Sequence, residues 1–248
     1  MRNFDILHPV PLDNNTSVKE FKELCVTANE TLQRIDKLYQ SQKMFIANAS
    51  HEIQTPLAIA INNVDAIVQT DLSEEQLKYI SNINKTLMRA SAVNKSLLLL
   101  AKIDGNVFIE HQKIDISEII NAILPNLQEV YSSKNVSYSV NLNTCIFDIN
   151  PDLASVLVMN LIKNAIIYTP NNGEIIISCG ENNFSVSNSS VDNIPLDEKN
   201  IFIPFCKSMN NVNSSGIGLT LVKAICDSSN LIIKYFFENN FHTFKISD

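Results

Sequence analysis

The chain has 248 residues, 45% hydrophobic and 18% charged, a composition that buries a core in one large or two ordinary domains and excludes a disordered or fibrous polymer. Nineteen basic against 26 acidic side chains give a net charge of −7, which repels nucleic acid and anionic lipid, and no basic patch offsets it. Five cysteines, Cys25, Cys145, Cys179, Cys206 and Cys226, lack a C-x-x-C pair, argue against a disulfide framework or zinc site, and read as small core residues in a reducing compartment.

Met1 to Thr16 carries Pro9, Pro11 and Asn14-Asn15 and reads as a linker over residues 1–17. From Val18 to about Gln69 apolar residues recur at steps of three and four, among them Phe21, Leu24, Leu32, Ile35, Ala49 and Ile53, and predict one unusually long helix. Thr70 to Ser73 break the pattern. A second helical pattern then runs through Leu77, Ile80, Ile83, Leu87, Ala90, Leu97 and Ala101, with Asn94 as its polar interruption, and stops before Asp104-Gly105. Two long helices on a short loop make an antiparallel hairpin, residues 18–107, with too few layers to bury both apolar stripes alone. A second copy that completes a four-helix bundle is the expected solution, so the chain is predicted to be a homodimer whose register Asn94 fixes. Apolar stretches such as Ser96 to Ile103 fall far short of the roughly 20 residues that cross a bilayer, and the N-terminus lacks a signal-like pattern, so the chain as given reads as soluble.

The second half, residues 108–248, has the α+β pattern of an α/β sandwich. Helices are expected at Asp115 to Lys134, Pro151 to Tyr168 and Thr220 to Ser228, and strands at Val136 to Leu142, Glu174 to Cys179, Phe184 to Ser187, Leu231 to Phe237 and Phe241 to Ile246. Glu238-Asn239-Asn240 joins the last two strands as a hairpin.

Chemistry first shows within the long helix. His51 lies two positions from each of the stripe residues Ala49 and Ile53, so at about 100° per residue it points into water. Thr55 is one turn on along the same face, and Glu52 is adjacent. A neutral imidazole nitrogen is a nucleophile when the other nitrogen is held protonated, and a neighbouring carboxylate favours that tautomer. Pro56 removes the backbone hydrogen bond to the Glu52 carbonyl and should loosen or kink the helix there. Taken alone, these residues also suit a surface histidine beside a kink. The run His51-Glu52-Ile53-Gln54-Thr55-Pro56-Leu57, however, resembles the H-box of sensor histidine kinases. That resemblance implies a phosphoacceptor His51, Glu52 as general base, and Thr55 placing water for removal of phosphate from a partner's aspartyl phosphate.

Asn160, Asn164 and Tyr168 follow at intervals of four, so one helix ridge presents two carboxamides and an aromatic ring together. A carboxamide oxygen suits Mg²⁺ that bridges phosphates, and a tyrosine can pack on a purine. Leu161-Ile162-Lys163-Asn164-Ala165 resembles the N-box of the same family, which implies magnesium on Asn164 and phosphate or metal support from Asn160. Ser215-Gly216-Ile217-Gly218-Leu219 precedes a helix, where glycines let backbone N–H groups reach phosphate oxygens. With Ile201-Phe202-Ile203-Pro204-Phe205 resembling an F-box, the boxes fall in the family's order. The resemblance implies a Bergerat-type ATP-binding fold for this half. Cys206 to Ser215 would then be a short lid whose root Phe202 and Phe205 anchor by packing.

The family's first glycine box, usually Asp-x-Gly-x-Gly, falls on Asn188-Ser189-Ser190-Val191-Asp192, and none of its markers survives. Asn188 can still accept from an adenine amino group, but without charge assistance, and Ser190 and Asp192 add side chains where glycine lets the backbone close on a ligand. Ile167 and Pro204 stand where the family often has basic residues, with Lys163, Lys207 and Lys223 as candidate substitutes. The expectation is a cytoplasmic autokinase region that uses ATP and Mg²⁺ to phosphorylate His51 and passes the phosphoryl group to a response-regulator receiver domain. It could also act as a phosphatase of that regulator. Full-length relatives receive their signal through inner-membrane segments, absent here. The alternative is a nucleotide-impaired dimeric scaffold for the regulator. A hydrolytic ATPase of the same fold is disfavoured, because Asn160 stands where such enzymes have a water-activating glutamate.

Overall fold

The computed structural model describes residues 19–105, 107–108, 110–206 and 216–248. The linker at residues 1–17, Lys207 and most of the expected lid, through Ser215, lie outside the described residues.

Helix α1 (Lys19–Val68) runs for 50 residues straight through Pro56. Its apolar period carries it well beyond the usual 3–4 turns. The expected break follows, and α2 (Glu74–Asp104) opens on a capping box: Ser73 Oγ accepts from Gln76 N–H at 3.3 Å, and Gln76 Oε1 accepts from Ser73 N–H at 2.9 Å. Helix α2 includes Asp104, one residue beyond the expected stop, and ends at Gly105. Cys25, Ser50 and Val64 of α1 and Asn94 of α2 are buried. Asn94 differs from its expected place between two copies. Its Nδ2 donates to the Ser50 carbonyl of its own chain, so it ties the hairpin to itself. A stripe of large apolar residues on α1, including Leu24, Leu38, Phe45 and Ile59, stays exposed.

Ile103 near the end of α2 joins the core of the second domain. That domain is a five-stranded sheet in the order β2-β4-β5-β7-β6, built from β2 (Ser137–Leu142), β4 (Glu174–Gly180), β5 (Asn183–Ser189), β6 (Ile232–Glu238) and β7 (Phe241–Ser247). Strands β2 and β4 are parallel and the remaining neighbours antiparallel. Ile175, Ile177, Phe184, Val186, Phe244 and Ile246 alternate inward along their strands. They bury against α3 (Ile116–Val130), α4 (Pro151–Tyr168) and α5 (Gly218–Ser228). The opposite face carries Ser178, Ser185, Ser187 and Thr243, the last donating to Ser187 Oγ at 2.8 Å.

Two elements escaped the sequence reading. Strands β1 (Gln112–Asp115) and β3 (Ile146–Ile149) pair in a separate antiparallel ribbon, each too short to show a period. Helix α3 ends at Val130 rather than Lys134, because Lys134 has other work: its Nζ donates at 2.7 Å to the carbonyls of both Ile166 and Ile167 and closes the C-terminal turn of α4. Burial lowers the Lys134 pKa.

Candidate functional site

Two places carry the chemistry. On α1, the side chains of His51, Glu52 and Thr55 are all exposed, while Ser50 beside them is buried under Asn94. The imidazole therefore meets solvent from a helix pinned at the preceding carbonyl. Pro56 has no N–H, so the Glu52 carbonyl also lacks its usual helical donor.

The second place is a cleft of about 950 Å³, which matches the volumes of small-molecule sites. Every residue that the sequence assigned to nucleotide lines it: Asn160, Asn164, Tyr168, Asn188, Gly216, Gly218 and Leu219. Helix α4 supplies the first three from one ridge, and its apolar face, with Leu157, Leu161 and Ile162, is sunk in the core. Its start is fixed by Asn150, whose Oδ1 accepts from the N–H groups of Asp152 and Leu153.

The entry to α5 is built by close approach. Gly216 has φ of 71°, and a Cβ there would sit 3.1 Å from Phe205 Cα. The Gly216 carbonyl accepts from Phe205 N–H at 2.9 Å. A Cβ on Gly218 would meet Asn160 Oδ1 at 3.1 Å, while Asn160 Nδ2 donates to the Val156 carbonyl at 2.8 Å. Asn160 thus faces both the cleft and the first residue of α5. Side chains cap α2, α3 and α4, but none caps α5. A helix N-terminus without a side-chain cap suits an anion through its N–H groups and dipole.

Asn188 is 5% exposed at the end of β5, and its Nδ2 donates to the Ser189 carbonyl at 3.2 Å, so its oxygen is the free polar end. Ser190 and Asp192, which replace the family's glycines, line the same cleft. The candidate basic substitutes separate cleanly. Lys163 lines the cleft, Lys223 is paired with Asp227 at 2.6 Å away from it, and Lys207 is not described. The expected packing anchor divides in two. Phe202 packs against the core, whereas Phe205 is 56% exposed with φ of 62° and holds its place through its backbone bond to Gly216.

Sequence reading missed many cleft residues, four of them on elements it did not assign to the site. Arg89 and Ala92 arrive from α2, and His242 and Phe244 from β7. Register alone brings His242 beside Asn188, and a single sequence carries no register. The Asn94 to Ser50 bond aligns the antiparallel helices so that Ala92 and Arg89 lie level with Glu52 to Thr55. At about 1.5 Å per residue the α2 wall of the cleft is then within roughly one turn of His51 along the hairpin.

Among the described residues no three His, Cys, Asp or Glu side chains gather to hold a metal. Asn164 offers one neutral oxygen, which fits Mg²⁺ held mostly by phosphate oxygens and its own waters, and would not fit a cation caged by protein. The uncapped α5 and the two glycines fit a polyphosphate.

Residues 41–106 match the His Kinase A (phospho-acceptor) domain. Heme sensor protein HssS of Staphylococcus saprophyticus is 31% identical over 210 residues, 79% of this chain and 45% of that protein. The HssS of Staphylococcus aureus strain Newman is 29% identical over 219 residues, 86% of this chain and 47% of the relative. The chain therefore spans about half the length of these relatives. Among solved structures, full-length ShkA in complex with AMPPNP covers 82% of this chain and 45% of its own at TM-score 0.64 and 18% identity. The histidine kinase AdeS of Acinetobacter baumannii covers 79% and 95% at TM-score 0.54 and 19% identity. Both likenesses speak to the fold, a helical hairpin followed by a mixed α/β domain.

Proposed function

The chain belongs to the sensor histidine kinases, and from that premise we propose that it is an autokinase region in which His51 takes the γ-phosphoryl group of ATP bound in the cleft and yields it to an aspartate of a response-regulator receiver domain. One observation carries this reading: all seven residues assigned to nucleotide from the sequence line one cleft, at whose edge α5 starts uncapped. Tyr168 packs on the purine and the Asn188 oxygen accepts from its amino group. The N–H groups around Gly216, Gly218 and Leu219 bind the phosphates, and Lys163 supplies the positive charge that Ile167 and Pro204 do not. Asn164, supported by Asn160, holds Mg²⁺, which when bound neutralises charge on the phosphates.

At the hairpin, Glu52 hydrogen-bonds one ring nitrogen of His51, which leaves the other nitrogen unprotonated and able to attack in line. Thr55, one turn on, places water for the reverse task of clearing phosphate from the regulator. The exposed stripe through Leu24, Leu38 and Phe45 is covered by the same stripe of a second copy, which makes the working unit a homodimer. The reading places this region on the cytoplasmic side of a membrane-borne sensor. No described helix is itself long and apolar enough to cross a membrane.

A second reading has a specific motive. Asn188, Ser190 and Asp192 all line the cleft where the family carries an acid and two glycines, so the domain would be a scaffold that has lost productive nucleotide use. Affinity for Mg·ATP and transfer of label from γ-labelled ATP, measured on the wild type, His51→Ala and Asn164→Ala, separate the two. The kinase reading expects label on the wild type only, with ATP binding intact in His51→Ala. A wild type that binds no nucleotide establishes the scaffold.

A further inference from the structure

The nucleotide reading names residues for the phosphates and one acceptor for the purine. It leaves unused a titratable group that the sheet brings to the cleft. His242 of β7 stands directly across from Asn188 of β5 in the antiparallel register, and both line the cleft. Side chains of directly paired residues share a face of the sheet, close enough to contact one ligand edge together.

The ring of His242 is held from two sides. Phe237 is packed against it with centroids 4.8 Å apart, and Tyr235 stacks on it at 6.0 Å with an interplanar angle of 23°. The Tyr235 hydroxyl oxygen lies 2.8 Å from His242 Nδ1 and accepts from Leu196 N–H at 2.9 Å. A phenol has one proton. Of these two neighbours the Leu196 N–H can only donate, so the phenol proton is available to Nδ1. When Nδ1 accepts that proton, the neutral ring carries its hydrogen on Nε2, the nitrogen not bonded to Tyr235. Burial lowers the His242 pKa and favours the same neutral form. In that tautomer the cleft offers an acceptor, the Asn188 oxygen, beside a donor, His242 Nε2–H.

We infer that His242 is a base-specificity residue of the nucleotide cleft, donating from Nε2 to N1 of adenine while Asn188 accepts from the adjacent 6-amino group. The inference rests on the cleft's binding ATP. Adenine presents a donor and an acceptor side by side on that edge. Guanine presents O6 as an acceptor and N1–H as a donor, the reverse order, and meets Asn188 and His242 with both groups mismatched. A pocket built to hydrogen-bond a particular group rejects analogues that leave its buried polar atoms unpaired. This pairing also gives Asn188 a neutral partner suited to its loss of charge.

The test measures binding of ATP, 1-deaza-ATP, in which a C–H replaces N1, and GTP to the full chain with Mg²⁺. Wild type is expected to bind ATP about ten-fold more tightly than 1-deaza-ATP. In His242→Phe, which keeps an aromatic ring against Phe237 but has no N–H, the ratio is expected to fall to about one and GTP to gain on ATP. His242→Gln, which retains a donor, keeps a preference for ATP. Equal affinity of the wild type for ATP and 1-deaza-ATP overturns the inference without any variant, so a poorly folding His242→Phe does not shield it. An unchanged ratio in a folded His242→Phe overturns it as well. A wild type that binds none of the three nucleotides instead overturns the nucleotide reading of the cleft, and this inference with it.

Discussion

The hairpin and the α/β domain use apolar residues in opposite ways. Phe45 and Leu38 of α1 are 73% and 64% exposed, whereas Phe147, Phe184 and Ile162 of the second domain are fully buried. The domain closes its own core with three helices on one face of a sheet. Few of the described hairpin residues are buried, among them Ser50, Val64 and Asn94, and on the proposed reading the hairpin is half of a larger packing unit. The difference sorts the candidate chemistry too: His51, the proposed phosphoacceptor, sits on the open element, and the cleft proposed for nucleotide is lined mostly by the closed one.

If the hairpin is half an interface, Leu38→Lys with Phe45→Lys should weaken dimerisation at least 100-fold, at roughly 1.5–3 kcal/mol per large side chain no longer buried. Sedimentation equilibrium would read this, and ATP affinity should stay as it was. A dimer of undiminished strength would break the comparison at its root. The closed domain is probed by Gly216→Ala. A Cβ 3.1 Å from Phe205 Cα, on a residue at φ of 71°, should cost about 1–3 kcal/mol and lower nucleotide affinity about ten-fold by shifting the start of α5. Oligomeric state should not change.

Smaller effects separate the two regions further. Asp115 caps α3, accepting from Ser117 N–H at 3.0 Å and from Cys145 N–H at 3.1 Å. Burial raises its pKa, but hydrogen bonds from Cys145 and Ser117 outweigh this and hold it below the usual carboxylate value. A depressed folded pKa means stability that is complete above the unfolded value near about 3.9 and lost as pH falls through the folded one. Asp115→Ala should cost the α/β domain about 1 kcal/mol at neutral pH, and the gap from wild type in urea unfolding should close below about pH 4. Asn94→Ala should cost the hairpin about 1 kcal/mol through the lost bond to the Ser50 carbonyl, with no change at the cleft.

How much was legible follows the period of each signal. The long helices and α4 showed plainly in spacings of three and four, and with α4 came Asn160, Asn164 and Tyr168 on one wall. The four-residue strands β1 and β3 have no room for a period, and they went unseen. Lys134 looked like the tail of a helix because nothing local says that it reaches the α4 carbonyls 32 and 33 residues away. The same blindness to long-range pairing hid His242 and the α2 residues of the cleft. Asn94 was seen as a polar break in an apolar stripe, but which helix it faces is a matter of packing, and the answer was its own chain's α1.

The central claim is that an exposed imidazole on the hairpin receives phosphate from the cleft. It is tested most directly by incubating the full chain with γ-labelled ATP and Mg²⁺ and mapping the label. The account predicts a phosphate labile to acid and stable to base, on His51 alone. Label on another residue, or an acid-stable phosphate, would contradict it.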